Sequence, residues 1–456
     1  MNDCCVPNNG SKHFDLAVIG AGSAGFSAAI TAAEQGAQVA LIGHGTIGGT
    51  CVNIGCVPSK TLIRATETVH HAGVAGRFAG IRAKAQVDDW AAIVHQKDNL
   101  VADLRQAKYA DLLPAYNNIS YIEGAAQLAE GGVAVNGDLG DLLKAKRVII
   151  ATGARPAVPS IPGIEAVEYL TSTSALSLEV LPKSLLVIGG GYIGAELAQM
   201  FSRAGVVVTL VFRSRLLPEA EPEIGEALHG YLANEGINIV DGVSYQSIRR
   251  TAAGIALAIK RDGRSETIET EEILVATGRT PNTDGLGLEK LGIALSSNGA
   301  VEVDDRMRTT RPGVYAAGDV TGRDQFVYMA AYGARLAAKN ALNGDSLRYD
   351  NRTMPAVVFT DPQVASVGLT EAGARAAGHN VRTSVLPLSY VPRALAARDT
   401  RGLIKLVADG KTHVLLGAHI LAPEGSDSIQ TAALAIRQGL TFDDLAEMIL
   451  PYLTTV

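Results

Sequence analysis

The chain has 456 residues, of which 47% are hydrophobic and 19% charged, and its formal net charge is −6. This length predicts about two to four domains, and the acidic balance, with a pI near 5.9, argues against nucleic-acid binding. Four cysteines in so long a chain exclude a disulfide-stapled scaffold and favour a redox or metal role.

The N-terminal residues 1–12 are polar and are predicted to form a disordered tail. The segment has neither the basic region nor the apolar core of a secretory signal peptide. Apolar runs elsewhere are much shorter than the roughly 20 residues that a membrane span requires. We therefore expect a cytoplasmic protein.

The first glycine-rich turn, Gly20-Ala21-Gly22-Ser23-Ala24-Gly25, follows a predicted buried strand at 14–19. A helix to about Gln35 and a strand at 37–42 come next. This order is typical of a dinucleotide-binding βαβ unit, in which the helix N-terminus holds a pyrophosphate. The acid that usually ends the second strand is replaced by Gly43, so backbone, water or His44 must hold the adenosine ribose.

Two cysteines five positions apart lie in the stretch Gly48-Gly49-Thr50-Cys51-Val52-Asn53-Ile54-Gly55-Cys56-Val57-Pro58-Ser59-Lys60. On an ideal helix this spacing corresponds to a rise of roughly 7.5 Å, whereas a disulfide needs Cα atoms about 4.4–6.8 Å apart. A Cys51–Cys56 bridge therefore requires a distorted helix start, which Gly55 and Asn53 permit, and a bridge under such constraint is reducible. The spacing alone leaves two unrelated buried thiols as an equal alternative.

A second glycine-rich turn, Gly189-Gly190-Gly191-Tyr192-Ile193-Gly194, follows a predicted strand at 184–188 and opens a helix that runs to Gly205. The next predicted strand, at 206–212, ends in Arg213-Ser214-Arg215, where an NAD site would carry an acid. We therefore predict NADPH, with both arginines clamping its 2′-phosphate; a solvated strand end is the alternative. Two dinucleotide sites in one chain imply two cofactors, which fits FAD plus a nicotinamide.

Two strand-then-ATG segments, ending in Thr152-Gly153 and Thr277-Gly278, bracket this second turn. Hinges would lie at these places if one dinucleotide domain were inserted into the other. A late strand at 314–317 leads to Asp319, which is predicted to face the ribityl chain or pyrophosphate, or else to cap the next helix. From about residue 340, short β-like runs alternate with helices near 426–438 and 442–450, which indicates a separate α+β domain on an antiparallel sheet.

Together, the cysteine stretch, both GxGxxG turns, both ATG segments and the segment 316–319 resemble the flavin-dependent pyridine nucleotide–disulfide oxidoreductases, from residue 13 onward. The resemblance implies an α/β fold with two Rossmann-like dinucleotide-binding domains, the second inserted in the first, and a C-terminal α+β dimerisation domain. The implied boundaries are 13–153 with 272–340 for FAD, 154–271 for NADPH and 341–456 for the dimerisation domain. The predicted cofactor-binding residues are Gly20, Gly22, Ser23, Ala24, Gly25, Gly49, Thr50, Lys60, Thr152, Gly153, Asp319, Gly189, Gly191, Tyr192, Ile193, Glu196, Arg213, Arg215 and Gly278.

The same resemblance implies catalytic roles. Cys56 is implied to be the flavin-proximal thiolate and Cys51 the interchange thiol, while Lys60 lies near flavin N5 with Glu196 as its ion-pair partner. A neighbouring cation and the electron-poor flavin would lower the pKa of the thiolate. Tyr192 is implied to cover the flavin and to give way to nicotinamide. The alternatives are ordinary buried ion pairs for the charged residues, Asp319 included, and a core position for the tyrosine.

The final segment, Leu450-Pro451-Tyr452-Leu453-Thr454, bears on the substrate. Disulfide reductases of the family need a histidine in a His-Pro motif near the end, to protonate the leaving thiolate. Here the last histidine is His419. Tyr452 offers a phenol with an ordinary pKa of about 10, which makes it a poor acid–base partner for thiols.

Four segments, 45–53, 354–363, 391–394 and 451–454, resemble the mercuric-ion reductases of this family. That resemblance implies a homodimer that uses NADPH to reduce a Hg(II) dithiolate to elemental mercury. The implied metal site comprises Cys51, Cys56, Tyr192 and Tyr452, the last from the other subunit, and soft thiolates suit a soft metal. The alternatives are an enzyme like dihydrolipoamide dehydrogenase or glutathione reductase, and a mercury-sequestering protein with little turnover.

Two features depart from this resemblance. Mercuric-ion reductases usually continue into a cysteine-bearing tail and often carry an N-terminal metal-binding domain, so we expect a truncated chain or Hg(II) delivery by small thiols. The adjacent Cys4 and Cys5 offer a further hypothesis, capture of Hg(II), against an inert terminus. Unchanged Hg(II) reduction by a Cys4→Ala/Cys5→Ala variant at low external thiol would reject that capture.

Overall fold

The computed structural model describes residues 13–455. The predicted disordered tail and the Cys4–Cys5 hypothesis lie outside the described residues. The strands are β1 (His13–Ile19), β2 (Val39–Gly43), β3 (Ile119–Glu123), β4 (Ala126–Ala129), β5 (Gly132–Val135), β6 (Asp138–Ile150), β7 (Ala154–Pro156), β8 (Leu170–Thr171), β9 (Ser184–Ile188), β10 (Val207–Val211), β11 (Asn238–Val240), β12 (Ser244–Thr251), β13 (Gly254–Arg261), β14 (Arg264–Thr270), β15 (Glu272–Val275), β16 (Arg279–Pro281), β17 (Val314–Ala316), β18 (Ala356–Val358), β19 (Gln363–Gly368), β20 (Val381–Pro387), β21 (Leu403–Asp409) and β22 (Leu415–Ala422).

The helices of the described residues alternate with these strands. They are α1 (Ser23–Ala33), α2 (Gly49–Ile54), α3 (Cys56–Gly73), α4 (Trp90–Arg105), α5 (Ser172–Ala175), α6 (Tyr192–Arg203), α7 (Pro222–Asn234), α8 (Val327–Asn343), α9 (Glu371–Ala376), α10 (Pro392–Ala397), α11 (Gly425–Gln438) and α12 (Phe442–Glu447). None of them combines the length and the hydropathy needed to cross a bilayer.

The chain divides into two compact units, and the first comprises residues up to Pro58, Asp98–Arg155 and Arg279–Asp350. Its seven-stranded sheet has the order β3-β2-β1-β6-β5-β4, and β17 also pairs with β6. Strands β3, β2, β1, β6 and β17 are parallel, whereas β4 and β5 form an antiparallel extension.

The two faces of this parallel sheet are covered by different elements because side chains alternate along each strand. Leu16 and Val18 of β1 pack with α1 and α8 in one core cluster. Ala17 and Ile19 face the opposite cluster, which includes residues of β4 and β5. Burial on both faces explains why β1 reads as a continuous apolar run.

The second unit comprises Ser59–Lys97, Pro156–Gly278 and Asn351–Val456. One of its sheets is parallel, in the order β11-β10-β9-β15-β8, with α6 and α7 packed on one face. The antiparallel sheet β12-β13-β14 packs on the other face. A further five-stranded antiparallel sheet has the order β18-β19-β22-β21-β20 and carries α11.

The expected fold class and the antiparallel C-terminal sheet are confirmed, and β9 has the predicted bounds. The helix predicted near 442–450 is too long, because Met448 adopts an extended conformation with φ −64° and ψ 139° directly after α12. The edge strand β20 was not predicted. Its residues are exposed almost throughout, so it lacks the apolar alternation that marks a half-buried strand.

Candidate active site

The first glycine turn joins β1 to α1 in the first unit, and two of its glycines have no room for a side chain. A Cβ atom on Gly20 would lie 2.3 Å from the Ala151 carbonyl oxygen, and one on Gly25 would lie 1.7 Å from that of Gly20. Gly22 is the N-cap of α1, and no side chain caps that helix. The N–H groups of the first helical turn are therefore suited to an anion such as a pyrophosphate.

The segment that precedes α2 lies directly against this turn. Gly22 and Gly48 form a parallel β-bridge, and the Gly48 N–H donates to the Ala21 carbonyl at 2.9 Å. Gly49, the first residue of α2, has φ +67°, and a Cβ there would lie 2.6 Å from the Gly22 Cα. The predicted residues Gly49 and Thr50 thus begin a second helix beside the start of α1.

The expected distortion between the two cysteines is confirmed as a break between two helices. Cys51 lies within α2 and Cys56 begins α3, while Gly55 between them has φ −130° and ψ −110°. A Cβ on Gly55 would lie 2.9 Å from the Thr50 carbonyl oxygen. Cys51 is half-buried and Cys56 is exposed, so the two sulfurs have different access to solvent.

Asn53 has a role that the sequence reasoning missed. Its amide group donates to the carbonyls of Ile47 and Gly49, both at 2.9 Å, and its oxygen accepts from Arg105 at 3.1 Å. These bonds tie the end of α2 to the loop that begins it. The sequence indicates only that this asparagine tolerates a bend, although an amide can bond to nearby backbone in this way.

Tyr109 was also missed, because it lies far from the cysteines in sequence. It belongs to a π-helical segment, Gln106–Ala110, and such segments often accompany functional sites. Its hydroxyl is 3.0 Å from the Ser23 hydroxyl, so the predicted Ser23 already has a partner. Burial raises the pKa of Tyr109, and the charges of Cys51 and Cys56 raise it further, which places the phenol in the electrostatic surroundings of both thiols.

Asp319 follows β17 and Gly318, where a Cβ on Gly318 would lie 3.1 Å from Ala24 in the first turn of α1. Burial raises the pKa of Asp319, and the guanidinium of Arg279, at 3.5 Å, opposes that rise. The buried Nε of Arg279 has no hydrogen-bond partner among the described residues. A half-buried carboxyl beside an incompletely satisfied cation fits a site for a polar ligand.

Thr152 and Gly153 are fixed by the chain that follows β16. The Thr152 hydroxyl donates to the Asn282 carbonyl at 2.7 Å, and the Asn282 amide donates back to the Thr152 carbonyl at 3.0 Å. Gly153 has φ +71° and accepts from the Asn282 N–H at 2.9 Å. The side chain of Thr152 is therefore engaged in the fold, and only its backbone is available to a cofactor.

The second glycine turn joins β9 to α6 in the second unit and repeats the first in detail. A Cβ on Gly189 would lie 2.3 Å from the Ala276 carbonyl oxygen, and one on Gly194 would lie 1.9 Å from that of Gly189. Gly191 caps α6 without a side-chain bond and faces open space. Tyr192 and Ile193 form the first turn of α6 and are half-buried, and burial, then the charge of Glu219, raises the pKa of Tyr192.

Lys60 and Glu196 form the predicted ion pair, with Nζ and Oε2 2.6 Å apart. The other oxygen of Glu196 accepts from the Phe359 N–H at 2.8 Å, and Lys60 lies over the Phe359 ring at 4.9 Å. Glu196 is buried, so its carboxylate holds the lysine and the end of β18 in one arrangement. Lys60 lies one helical turn after Cys56 on α3.

The two arginines predicted to bind the 2′-phosphate of NADPH, Arg213 and Arg215, differ in their surroundings. Arg215 donates to the carbonyls of Pro218 and Ala220, the latter at 2.8 Å, so its guanidinium closes the turn after β10. Arg213 is exposed, and its charge acts on the phenol of Tyr245, whose pKa it lowers against the effect of burial. The remaining predicted positions are Gly278, which has φ +117° and no atom near its Cβ position, and Tyr452, which is 80% exposed.

Two glycine turns of the dinucleotide type, each at an uncapped helix start, together with a cysteine pair at a helix break, define a flavoprotein oxidoreductase. Comparison with family models agrees with this class. The model for pyridine nucleotide-disulphide oxidoreductases matches residues 14–338, and the model for the dimerisation domain of that family matches residues 354–456. The chain belongs to the pyridine nucleotide-disulphide oxidoreductase family, and it is an enzyme with FAD and NADPH as its cofactors.

Curated relatives share nearly the whole chain. It is 47% identical to a mercuric reductase from Lysinibacillus sphaericus, over 97% of this chain and 80% of that protein. It is 45% identical to a mercuric reductase from Streptomyces lividans, over 97% of this chain and 94% of that protein. Among solved structures, the Cu(II) complex of the HOCl-induced flavoprotein disulfide reductase RclA from Escherichia coli has a TM-score of 0.85 and 31% identity, with 97% of each chain covered.

Proposed function

We propose that this enzyme reduces Hg(II), delivered as a dithiolate, to elemental mercury at the expense of NADPH. The observation that carries the proposal is the extended similarity to proteins named mercuric reductase, at 45–47% identity over 97–98% of this chain. In the balanced reaction, Hg(SR)₂, NADPH and a proton give Hg⁰, NADP⁺ and two free thiols. The chemistry supplied by bound FAD is acceptance of hydride and delivery of two electrons.

The two cysteines would bind the metal ion. Cys51 lies within α2 and Cys56 begins α3, on the two sides of the helix break. We assign Cys51 to exchange with the incoming thiolate complex and Cys56 to the flavin side. Thiolates select soft metal ions over hard ones, and binding requires both sulfurs to be deprotonated. The helix start at Cys56, with Lys60 one turn further on, favours the thiolate form of that residue.

Other side chains would position the cofactors and exclude water. Glu196 orients Lys60, which we assign to flavin N5, and Arg213 would neutralise the 2′-phosphate of NADPH. Tyr192, raised in pKa by burial, stays protonated at neutral pH and can cover the flavin without adding charge. Tyr452 is 80% exposed in a single chain, which fits its proposed place in the metal site of the partner subunit.

The proposal includes the organisation of the chain. We assign 13–153 with 272–340 to FAD binding, 154–271 to NADPH binding and 341–456 to the interface of a homodimer that operates in the cytoplasm. Two sheets of the Rossmann type and an antiparallel C-terminal sheet support these assignments, and the match to a dimerisation domain supports the homodimer.

A disulfide reductase remains the second candidate, because the solved structure with a TM-score of 0.85 carries that name. The described residues after His419 include no histidine of the kind that protonates a leaving thiolate in the family's disulfide reductases, which argues against it. A sequestering protein would need the cysteines but neither cofactor.

The test compares substrates and variants in one assay. NADPH oxidation is followed with Hg(II) in excess thiol, with oxidised glutathione and with lipoamide. We expect turnover with Hg(II) alone, and its loss in both Cys51→Ser and Cys56→Ser, whereas Ser59→Ala at the neighbouring position retains it. Turnover with a disulfide that exceeds that with Hg(II) would reject the proposal, and Hg(II) binding without NADPH oxidation would favour sequestration.

A further inference from the structure

The end of β2 lacks the residue that usually recognises the adenosine ribose. In βαβ dinucleotide sites an acid at this place binds the adenosine ribose, but this chain has Gly43 there. A side chain at this position would displace its neighbours, since a Cβ on Gly43 would lie 2.7 Å from Ala21 Cβ and 2.7 Å from the Tyr121 hydroxyl. The phenol of Tyr121 therefore occupies the space into which the usual acid would project.

Tyr121 and Glu123 belong to β3, the parallel neighbour of β2. The register pairs Leu41 with Tyr121 and Gly43 with Glu123, so these four residues lie on the same face of the sheet. The Gly124 N–H donates to the Gly43 carbonyl at 2.7 Å, which fixes the ends of the two strands together. The side chains of Tyr121 and Glu123 thus lie at the carboxyl end of the sheet, beside the glycine turn that contains Ala21.

Both polar groups are available to a ligand within the described part of the chain. Among residues 13–455, the Tyr121 hydroxyl and the exposed Glu123 carboxylate make no hydrogen bond or ion pair. Burial raises the pKa of Tyr121, and the charge of Glu123 raises it further, which shows that the phenol lies within electrostatic reach of the carboxylate. A phenol that donates and a carboxylate that accepts match the two hydroxyl groups of a ribose.

We propose that Tyr121 and Glu123 hold the adenosine ribose of FAD, in place of the acid that Gly43 replaces. The carboxylate of Glu123 accepts hydrogen bonds from the ribose hydroxyls, and the Tyr121 hydroxyl fixes their position beside Ala21. The ribose is thus held from the end of β3, on the same face of the sheet, instead of from the end of β2. This inference rests on FAD as the cofactor and is independent of the mercuric substrate.

The test measures FAD affinity rather than turnover, and it contains no mercury. Apoprotein is titrated with FAD, and with an FAD analogue whose adenosine ribose lacks both hydroxyls, while flavin fluorescence is followed. Because a hydrogen bond to a charged group is stronger than a neutral one, we expect Glu123→Gln to weaken FAD binding roughly tenfold and Tyr121→Phe about fivefold. For the analogue, both variants should bind as the wild type does.

Two matched controls complete the design. Glu34→Gln removes an exposed carboxylate just beyond α1, and Tyr116→Phe removes a phenol that precedes β3; both should leave FAD affinity unchanged. Unaltered FAD affinity in Tyr121→Phe and Glu123→Gln would overturn the proposal. Equal weakening for FAD and the analogue would also overturn it, because the two side chains would then act through packing alone.

Discussion

At the scale of single residues, Glu196 illustrates how a buried carboxylate organises two elements. It accepts from Lys60 at 2.6 Å and from the Phe359 N–H at 2.8 Å. In Glu196→Gln we expect the free energy of unfolding to fall by about 1–2 kcal/mol, since Lys60 loses its counter-charge but is 32% exposed and can be hydrated. Urea denaturation of the holoenzyme measures this loss.

The exposed pair Arg250–Glu168 serves as the control for that substitution. Its oxygen and nitrogen are 3.1 Å apart, but the glutamate side chain is 92% exposed. Glu168→Gln should therefore change the free energy of unfolding by less than about 0.5 kcal/mol. If Glu196→Gln and Glu168→Gln lower the free energy of unfolding equally, the burial of Glu196 does not contribute to the stability of its ion pair.

The different surroundings of Arg213 and Arg215 predict different effects on coenzyme choice. Arg213→Ala should raise the KM for NADPH roughly 10- to 100-fold and leave that for NADH unchanged, because only the phosphate contact is lost. Arg215→Ala should affect both coenzymes alike, since it opens the turn at Ala220. Initial-rate kinetics with each coenzyme distinguish the two, and a phosphate-selective loss in Arg215→Ala would contradict the assignment.

Sequence reasoning identified residues within motifs more readily than those outside them. The pair Lys60–Glu196 was expected and lies at hydrogen-bond distance. Tyr109 could not be predicted, because only the packing of its π-helical segment brings it beside Ser23. The clamps at 213 and 215 were treated as equivalent, since nothing in the sequence indicates that one guanidinium binds backbone carbonyls nearby.

At the scale of elements, the contact between the starts of α1 and α2 depends on Gly49. An alanine there would be strained by φ +67° and would place its Cβ 2.6 Å from Gly22. We expect Gly49→Ala to weaken FAD binding at least about tenfold, because the two helix starts must separate by a substantial fraction of an atomic diameter. Equilibrium titration of the apoprotein with FAD measures the effect.

A substitution at Gly45 distinguishes the effect of backbone strain from that of steric conflict in Gly49→Ala. Gly45 has φ +76°, and no atom lies within 4 Å of its Cβ position. Gly45→Ala should lower the free energy of unfolding by about 1 kcal/mol through strain alone, with FAD affinity retained. If Gly45→Ala and Gly49→Ala weaken FAD binding equally, backbone strain in the loop explains the weakening, and the close approach of α1 and α2 does not.

A cluster of charges in the second unit joins the end of α6 and the end of α7 to the loop between β18 and β19 and to the residues before β21. Asp361 accepts from Arg203 at 2.9 Å and from Arg401 at 3.1 Å, and Glu235 binds the same two arginines. Burial raises the pKa of Asp361, but the charges of Arg401 and Arg203 outweigh it and hold that pKa below its usual value.

This lowered pKa has a defined consequence for stability. The stabilisation by Asp361 is fully present above its ordinary pKa of about 3.9 and is lost as the pH falls through the lower pKa of the folded state. Asp361→Asn should therefore reduce the free energy of unfolding by about 2–3 kcal/mol at pH 7, and the difference from the wild type should shrink below about pH 4. Chemical denaturation across this pH range tests the sign.

The exposed pair Asp284–Arg155 provides the comparison, because the aspartate is 80% exposed. Asp284→Asn should have an effect below about 0.5 kcal/mol at every pH. A loss in Asp361→Asn that is as large at pH 3 as at pH 7 would contradict the assigned direction of the pKa shift.

The elements that sequence reasoning located well are those with a strong local signal. Strand β9 and the break at Gly55 follow directly from an apolar run and from a glycine between two cysteines. The end of α12 and the edge strand β20 depend instead on exposed backbone conformation, which leaves little trace in the hydrophobic pattern. The shift of the proposed ribose contact to β3 likewise becomes visible only when strand register is known.

At the scale of the whole molecule, α11 and the segment after α12 carry apolar side chains that a single chain leaves in water. Ile449 is 100% exposed, and Leu434 and Tyr452 are 59% and 80% exposed. We assign these side chains to the proposed dimer interface, which the match to a dimerisation domain over residues 354–456 supports. Ile449→Asp should convert the proposed homodimer to monomer at micromolar concentration, as measured by light scattering. Leu139→Asp, which alters a residue 61% exposed in β6, should leave the dimer intact.

The proposed reaction is tested most directly by measuring both products of one turnover. Holoenzyme, NADPH and Hg(II) in excess thiol are combined without oxygen, and volatile mercury is trapped while NADPH absorbance is recorded. The account predicts one Hg⁰ for each NADPH oxidised, with oxidised glutathione and lipoamide giving far slower oxidation. NADPH oxidation without volatile mercury, or faster oxidation with either disulfide, would contradict it.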